Sequence, residues 1–364
     1  MAKKEVGKQS VEFDCPPLIV GAASVVGEKE EQGPYGQYFD HVIKDPMAGQ
    51  DTWEEAEERF QQIAAEMAIE KCGLKEKDIR YVVAGDLLGQ LIASSFGLMS
   101  LDIPIFGVYG ACSTMGESLA IGSMLVDGGF ADRVVALTSS HFASAEKQFR
   151  FPLGYGNQRP QAATWTVTGS GAVVLSSQFD TKKKLSGKTN VQKVAQVKGV
   201  TTGKIVDYGV KDSMNMGACM APAAADVIAA NLEDFQRKPQ DYDQIITGDL
   251  GQVGRQILLD ILQAKGYDIE SCYMDCGIEI YRDDQNVQSG GSGCGCSAVM
   301  LTGYILQKLQ KQEWKRVLFV PTGALLSPVS FNEGKSVPGI AHAVVLESAE
   351  EKTEKSYKKQ EKDC

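Results

Sequence analysis

The sequence predicts an α/β protein built from a duplicated unit, and three observations carry that prediction. Buried-type strands alternate with amphipathic helices, the glycine-aspartate-leucine corner at Gly85 to Leu87 returns at Gly248 to Leu250, and two further strand matches keep the same order. At 364 residues the chain is long enough for two such units.

In chain order, the first strong helix spans Thr52 to Cys72, where Trp53, Ala56, Phe60, Ile63, Ala64 and Met67 recur at helical spacing. Thr52 followed by Glu55 reads as a capping box, and Gly73 stands where a left-handed cap belongs. Strands follow at Ile79 to Ala84 and Ile105 to Tyr109, then a helix from about Cys112 to Val126 and a strand at Arg133 to Thr138. The polar stretch His141 to Thr164 reads as a long loop leading to a strand at Gly169 to Leu175.

The second copy opens with a strand at Gln244 to Thr247, offset by 163 residues at the Gly-Asp-Leu corner, and a helix near Arg255 to Ala264. Arg316 to Val320 then matches the strand at Arg133, and Ala343 to Leu346 matches Ala172 to Leu175, with an insertion expected around Tyr267 to Val287. The expected division is therefore 1–179 for one half, a Lys-rich linker at 180–196, 197–348 for the other half, and a charged, disordered tail at 349–364. Such a unit buries its strands by placing two sheets between layers of helices, with strand ends of both halves facing a common crevice.

Composition sets limits on function. Hydrophobic residues are 43% and charged residues 23%, so the chain folds into a core. A net charge of −10 argues against nucleic acid as a partner. No apolar run reaches a membrane span or a signal peptide, which predicts a soluble, unprocessed chain. Nine scattered cysteines predict reduced thiols and no disulfide.

The residues just past matched strands are the candidate site. Cys112, between a strand and a helix, should sit where backbone N–H groups favour thiolate; the alternative is a small buried cysteine in a tight turn. Asp86 and Asp249 should come near it, with at least one lining the pocket, together with the Gly290 to Cys296 loop that contains Ser292. That loop suits either anion binding through its N–H groups or close backbone packing. His141 is the histidine placed at a strand end near the crevice; His41 and His342 are not. Lys147, Arg150, Arg159, Lys204 and Lys211 are the cations available to an anionic ligand, Arg150 first because it lies between Phe149 and Phe151. Cys272, Cys276, Cys294 and Cys296 lack zinc-site spacing, and no phosphate-loop or dinucleotide fingerprint is present, so no metal and no cofactor are expected.

The run Gly110 to Thr114, then Gly169 to Leu175, then Gly248 to Gln252 resembles the thiolase-like condensing enzymes. More narrowly, Phe39-Asp40 with Asp45-Pro46, Ala84 to Leu88, Tyr109 to Thr114, Ser139 to His141, Glu146 to Arg150 and Gly203 to Gly209 resemble the stage V sporulation protein AD family over nearly the whole chain. That resemblance implies a thiolase-like fold layered α-β-α-β-α and a soluble part of a sporulation complex, peripheral at the spore inner membrane. Such a part binds dipicolinic acid (pyridine-2,6-dicarboxylate), with or without calcium, beside membrane-embedded partners, and forms a homodimer. Condensing enzymes pair their cysteine with a histidine and an asparagine or second histidine; here the cysteine maps onto Cys112, the histidine position onto Asp249 and the asparagine position near Ser292. An aspartate there would oppose a developing enolate charge. Three readings follow: a dipicolinate-binding protein without a condensing triad, an acyltransferase using Cys112 alone, and an assembly component with a vestigial crevice.

Overall fold

The computed structural model describes residues 4–149, 159–178 and 194–349. Its first half supplies β1 (Leu18–Gly27), α1 (Trp53–Lys71), β2 (Tyr81–Gly85), β3 (Ile105–Gly107), α2 (Thr114–Asp127), β4 (Arg133–Ser140), α3 (Phe142–Phe149) and β5 (Gly169–Ser176). The second supplies β6 (Ala195–Thr201), α4 (Met216–Asp234), β7 (Gln244–Thr247), α5 (Gly251–Ala264), β8 (Tyr273–Asp275), α6 (Cys294–Met300), β9 (Arg316–Val320) and β10 (Ala343–Ser348).

The strands lie in the order β8-β7-β9-β10-β6-β1-β5-β4-β2-β3. This order reads the same from both ends: β2 runs parallel to β3 and β4, β7 runs parallel to β8 and β9, and every inner pair is antiparallel. The two halves meet where Ala195 and Gln196 of β6 face Ile19 and Leu18 of β1. The duplication read from three sequence matches is thus a pseudo-twofold repeat of five strands, with Asp86 after β2 and Asp249 after β7.

Strand alternation sorts the core into layers, because successive side chains point to opposite faces. Val135, Leu137, Ala172 and Val174 face Phe60, Ala64 and Ala68 of α1, while Val134, Ala136, Val173 and Leu175 face the molecular centre. In the second half Ile245, Leu318, Val320 and Val345 pack on α4, and Ile246, Phe319, Val344 and Leu346 face inward. The inward residues of both halves share one core with Met115 and Leu119 of α2 and with Ala298 and Val299 of α6. The arrangement is α-β-α-β-α. Truncating a fully buried residue of this centre, such as Leu175→Ala, would cost roughly 2–5 kcal/mol.

Local chemistry holds the elements in place. Thr52 and Glu55 form the reciprocal capping box at the start of α1, and Gly73 takes φ +67° just past its end. Cβ atoms at Gly171 and Gly295 would lie 2.4 and 2.5 Å from the carbonyls of Ala298 and Gly169, so these glycines let α6 sit directly on β5.

Several expectations need correction. The stretch after His141 contains α3, because Phe142, Ala145 and Phe149 form one apolar face. The strand after Pro104 ends at Gly107, not Tyr109, and α2 begins at Thr114 with Ser113 as its cap. The region taken as an insertion contains β8, which repeats β3, so most of the extra residues fall between β8 and α6. Ala195 and Gln196 belong to β6 rather than to a linker. Cys15 is disulfide-bonded, whereas the other seven described cysteines are free; scattered spacing along a chain does not report which thiols meet in space. The Lys-rich stretch before Val194 and the tail from Glu350 lie outside the described residues.

Candidate functional site

Cys112 occupies a tight corner. Ala111 has φ +48°, a left-handed conformation that costs a residue with a side chain about 1 kcal/mol or more. The corner is held by the Ser113 hydroxyl donating to the Gly110 carbonyl at 2.6 Å and the Thr114 hydroxyl donating to the Ala111 carbonyl at 2.6 Å. Cys112 is thereby turned into a narrow crevice open to solvent, walled by Leu87, Tyr109, Phe149, Met216 and Leu326. Ser292, Gly293, Thr166 and Glu146 supply its polar lining.

Asp249 ties this crevice together from behind. It is fully buried. One carboxyl oxygen accepts the Gly293 N–H at 2.9 Å and the other accepts the Thr322 hydroxyl at 2.8 Å; the Cys112 thiol faces the same carboxyl. Gly293 has φ +96°, and a Cβ there would stand 2.6 Å from the Ser140 hydroxyl, so glycine is what brings this N–H to Asp249. Burial, with the Asp275 carboxyl adding to it, pushes the Asp249 carboxyl up to about 7.

The expected Cys112 thiolate is contradicted. Burial first, then the facing Asp249 carboxyl, hold the thiol well above its ordinary range. Two effects compete here, and their sizes decide the outcome. A helix terminus contributes about 0.3–1 kcal/mol, under one pH unit, and only within the first turn, whereas desolvation shifts buried groups by several units. Cys112 also lies two residues before the first residue of α2. The thiol is neutral.

Asp86, at the symmetric corner, does something else. It is also fully buried, but it accepts the Leu88 N–H at 2.8 Å and both the N–H and hydroxyl of Ser94, at 2.8 and 2.6 Å. It closes the loop of its own half and does not line the crevice. Beside it lies a polar group that sequence reading missed. Glu57 accepts the hydroxyls of Ser139 and Ser144 at 2.9 and 2.6 Å, and Gln61 donates to Gly85, Ser94 and Ser139. Burial and then the nearby Asp86 carboxyl push Glu57 up to about 8. A glutamate and a glutamine on the inner face of α1, where helical spacing calls for apolar residues, were the available signal.

The remaining candidates separate. His141 does not enter the Cys112 crevice; it lines a second cavity, with Nε2 donating to the Pro46 carbonyl at 2.8 Å, Nδ1 accepting the Ala143 N–H, and burial lowering its pKa. Lys204 is exposed and pairs with Asp226 at 3.2 Å, away from the crevice. Lys147 pairs with Glu54, and Arg159 pairs with the crevice residue Glu146. Arg150 lies outside the described residues. His342 is buried, accepts the Gly203 N–H, and is held near 4 by burial. Of the candidates, therefore, the structure brings together Cys112, Asp249 and Ser292. Tyr109, Met216 and Leu326 complete the walls and carried no signal, since apolar loop residues look alike in sequence.

Comparison with known proteins agrees with this geometry. By fold, the chain is similar to human mitochondrial 3-ketoacyl-CoA thiolase, with a TM-score of 0.57 at 12% identity over 93% of this chain and 100% of that one. It is likewise similar to 3-oxoacyl-(acyl-carrier-protein) synthase III of Aquifex aeolicus VF5, with a TM-score of 0.53 at 13% identity over 91% and 99%. In sequence it is 44% identical to stage V sporulation protein AD of Bacillus subtilis strain 168 over 346 residues, 95% of this chain and 98% of that protein. The model of the stage V sporulation protein AD family matches residues 7–347, and with the sporulation relative aligned end to end on a thiolase-like fold, the chain belongs to that family.

Proposed function

We propose that this sporulation protein is a ligand-binding, non-condensing member of the thiolase-like fold, taking dipicolinate in the Cys112 crevice and acting beside membrane-embedded partners at the spore inner membrane. The observation that carries the reading is the fully buried Asp249 carboxyl, bound to Gly293 and Thr322 and facing the Cys112 thiol. A condensing site needs a nucleophilic thiolate and neutral donors for the developing oxyanion. Here the thiol is protonated and an acid occupies the donor position, so the corner suits holding a ligand better than attacking one. Acyl transfer through Cys112 suffers from the same raised thiol.

Dipicolinate comes to this reading from the family resemblance, and the crevice supports it in two ways. Its apolar walls suit a flat ring, with Ser292 and Cys112 as hydroxyl and thiol at the back. The charge problem of an anion beside an acid also has an answer. Like charges about 4 Å apart cost roughly 4 kcal/mol at an effective dielectric near 20. A carboxyl poised near 7 escapes that cost by taking a proton when the anion arrives. Calcium bridging through the aspartates gains no support, because both oxygens of Asp249 already accept hydrogen bonds and Asp86 faces its own loop.

The homodimer belongs to the same proposal. β3 is the outermost strand of the first half, and its Ile105 and Phe106 are exposed beside Met99, an unprotected apolar edge of the kind that pairs with another copy.

Calorimetry with dipicolinate, with and without calcium, tests the binding reading, and intact mass after incubation with acyl-coenzyme A tests the alternative. Saturable binding without acylation is expected. Absence of binding, or stoichiometric acylation lost in Cys112→Ala, overturns the proposal.

A further inference from the structure

We infer that a second cavity, built around Lys29, Glu30, Trp53 and Trp165 and sharing no lining residue with the Cys112 crevice, is a binding site for a planar aromatic monocarboxylate. The crevice is lined by the later residues of α3, Ala145, Glu146 and Phe149; this cavity, of about 360 Å³, is lined by His141 and by the first residues of the helix, Phe142 and Ala143.

Its walls are flat and aromatic. Phe142 stacks on Trp165 with ring centres 3.8 Å apart, and the Trp53 ring lies 5.6 Å from that of His141. The Lys29 ammonium sits 4.4 Å from the centre of the Trp165 ring, and Lys44 is exposed at the rim. His141 contributes no charge, since both ring nitrogens are engaged with backbone and burial keeps it neutral.

The second, independent observation is Glu30. It lines the cavity yet is 1% exposed. One of its oxygens accepts the Tyr281 hydroxyl and the Thr168 N–H, while Oε2 has no hydrogen-bond partner among the described residues. Gly27, also in the lining, lies close against that oxygen: a Cβ there would stand 2.8 Å from it. Burial raises the Glu30 pKa, which favours the protonated carboxyl, and in that form it has a hydrogen bond to offer. Buried polar groups are normally satisfied, and one left unpaired beside a cavity points to where a ligand atom belongs.

These groups define one ligand chemistry. A carboxylate accepts from the Glu30 carboxyl and is countered by Lys29, and the attached ring lies against the aromatic walls. A single carboxylate fits better than two, because the floor has one open partner and the exposed Glu28 at the rim opposes further negative charge. The site is independent of what the Cys112 crevice binds.

The protein reports on this cavity itself. Of its three tryptophans, Trp53 and Trp165 line it, and the third, Trp314, packs on Tyr304 elsewhere. In a Trp314→Phe variant, benzoate should quench fluorescence saturably, and cyclohexanecarboxylate should bind at least tenfold more weakly for want of a flat ring. Lys29→Met should weaken benzoate at least tenfold, and Lys29→Arg should restore affinity to within about threefold. Calorimetry of benzoate on the unaltered chain gives the same constant if the substitution at Trp314 is harmless. Quenching without saturation, equal affinity for the two acids, or an unchanged constant in Lys29→Met would overturn the site.

Discussion

The two Gly-Asp-Leu corners are one local sequence placed at two symmetric points, and they do different work. Asp86 spends its carboxyl on Leu88 and Ser94, closing the loop of its own half. In the second half that task falls to Asp275, which accepts the Thr247 hydroxyl and the N–H groups of Leu250, Gly251 and Ile278. Asp249 is thereby released to reach across the centre to Cys112, Gly293 and Thr322. Duplication supplies two equal carboxylates; a third acid that takes over the capping lets one of them serve the crevice.

The comparison breaks most readily at Asp86. Asp86→Ala strands two buried N–H groups and a hydroxyl, and each unsatisfied buried group costs about 1–3 kcal/mol. Losing roughly 3 kcal/mol or more should lower the melting temperature clearly, while the folded fraction binds dipicolinate within about threefold of the parent. Selective loss of dipicolinate affinity with unchanged melting would return Asp86 to the site.

Next in size is the pH dependence of binding. Asp249 is protonated below about 7 and ionised above it, so a dianion should bind about tenfold more tightly at pH 6 than at pH 8, with proton uptake measurable by calorimetry in buffers of different ionisation enthalpy. Asp249→Asn can keep a carbonyl toward Gly293 and an amide toward Thr322, and it should flatten the profile. A slope surviving in Asp249→Asn would assign the proton to another group.

A smaller effect concerns the thiol. Because burial and Asp249 raise Cys112, iodoacetamide at pH 8 should label it more slowly than an unhindered thiol, and Asp249→Asn should accelerate labelling a few-fold by removing the facing charge. Peptide mapping by mass would read both; fast labelling of Cys112 in the parent would restore the thiolate.

The smallest is oligomeric. Phe106→Lys on the β3 edge should shift sedimentation from dimer toward monomer with little change in crevice affinity. A parent that sediments as a monomer removes the dimer from the proposal.

How much was legible follows from the range of the interactions involved. The capping box at Thr52 and the apolar face of α1 depend on residues three or four positions apart, and both are visible in the chain. Matched strands were visible because both copies need continuous apolar runs to be buried on two faces. That Cys112, Asp249 and Ser292 converge followed from their positions just past strand ends. By contrast, Glu57 and Gln61 show in the chain only as two polar residues on the inner face of α1, with partners that are distant in sequence, and the second cavity depends on Lys29, Trp53 and Trp165 meeting from three separate segments.

What the sequence determined by itself, then, is the repeat, the layering and the neighbourhood of the crevice, since periodicity and burial are written locally and repeated. What only the tertiary structure decided is the state of the groups within it: that Cys112 is a protonated thiol, that Asp249 rather than Asp86 faces it, and that His141 turns to another cavity. Protonation and hydrogen bonding depend on which distant residues exclude water and supply partners, and those are set by three-dimensional packing.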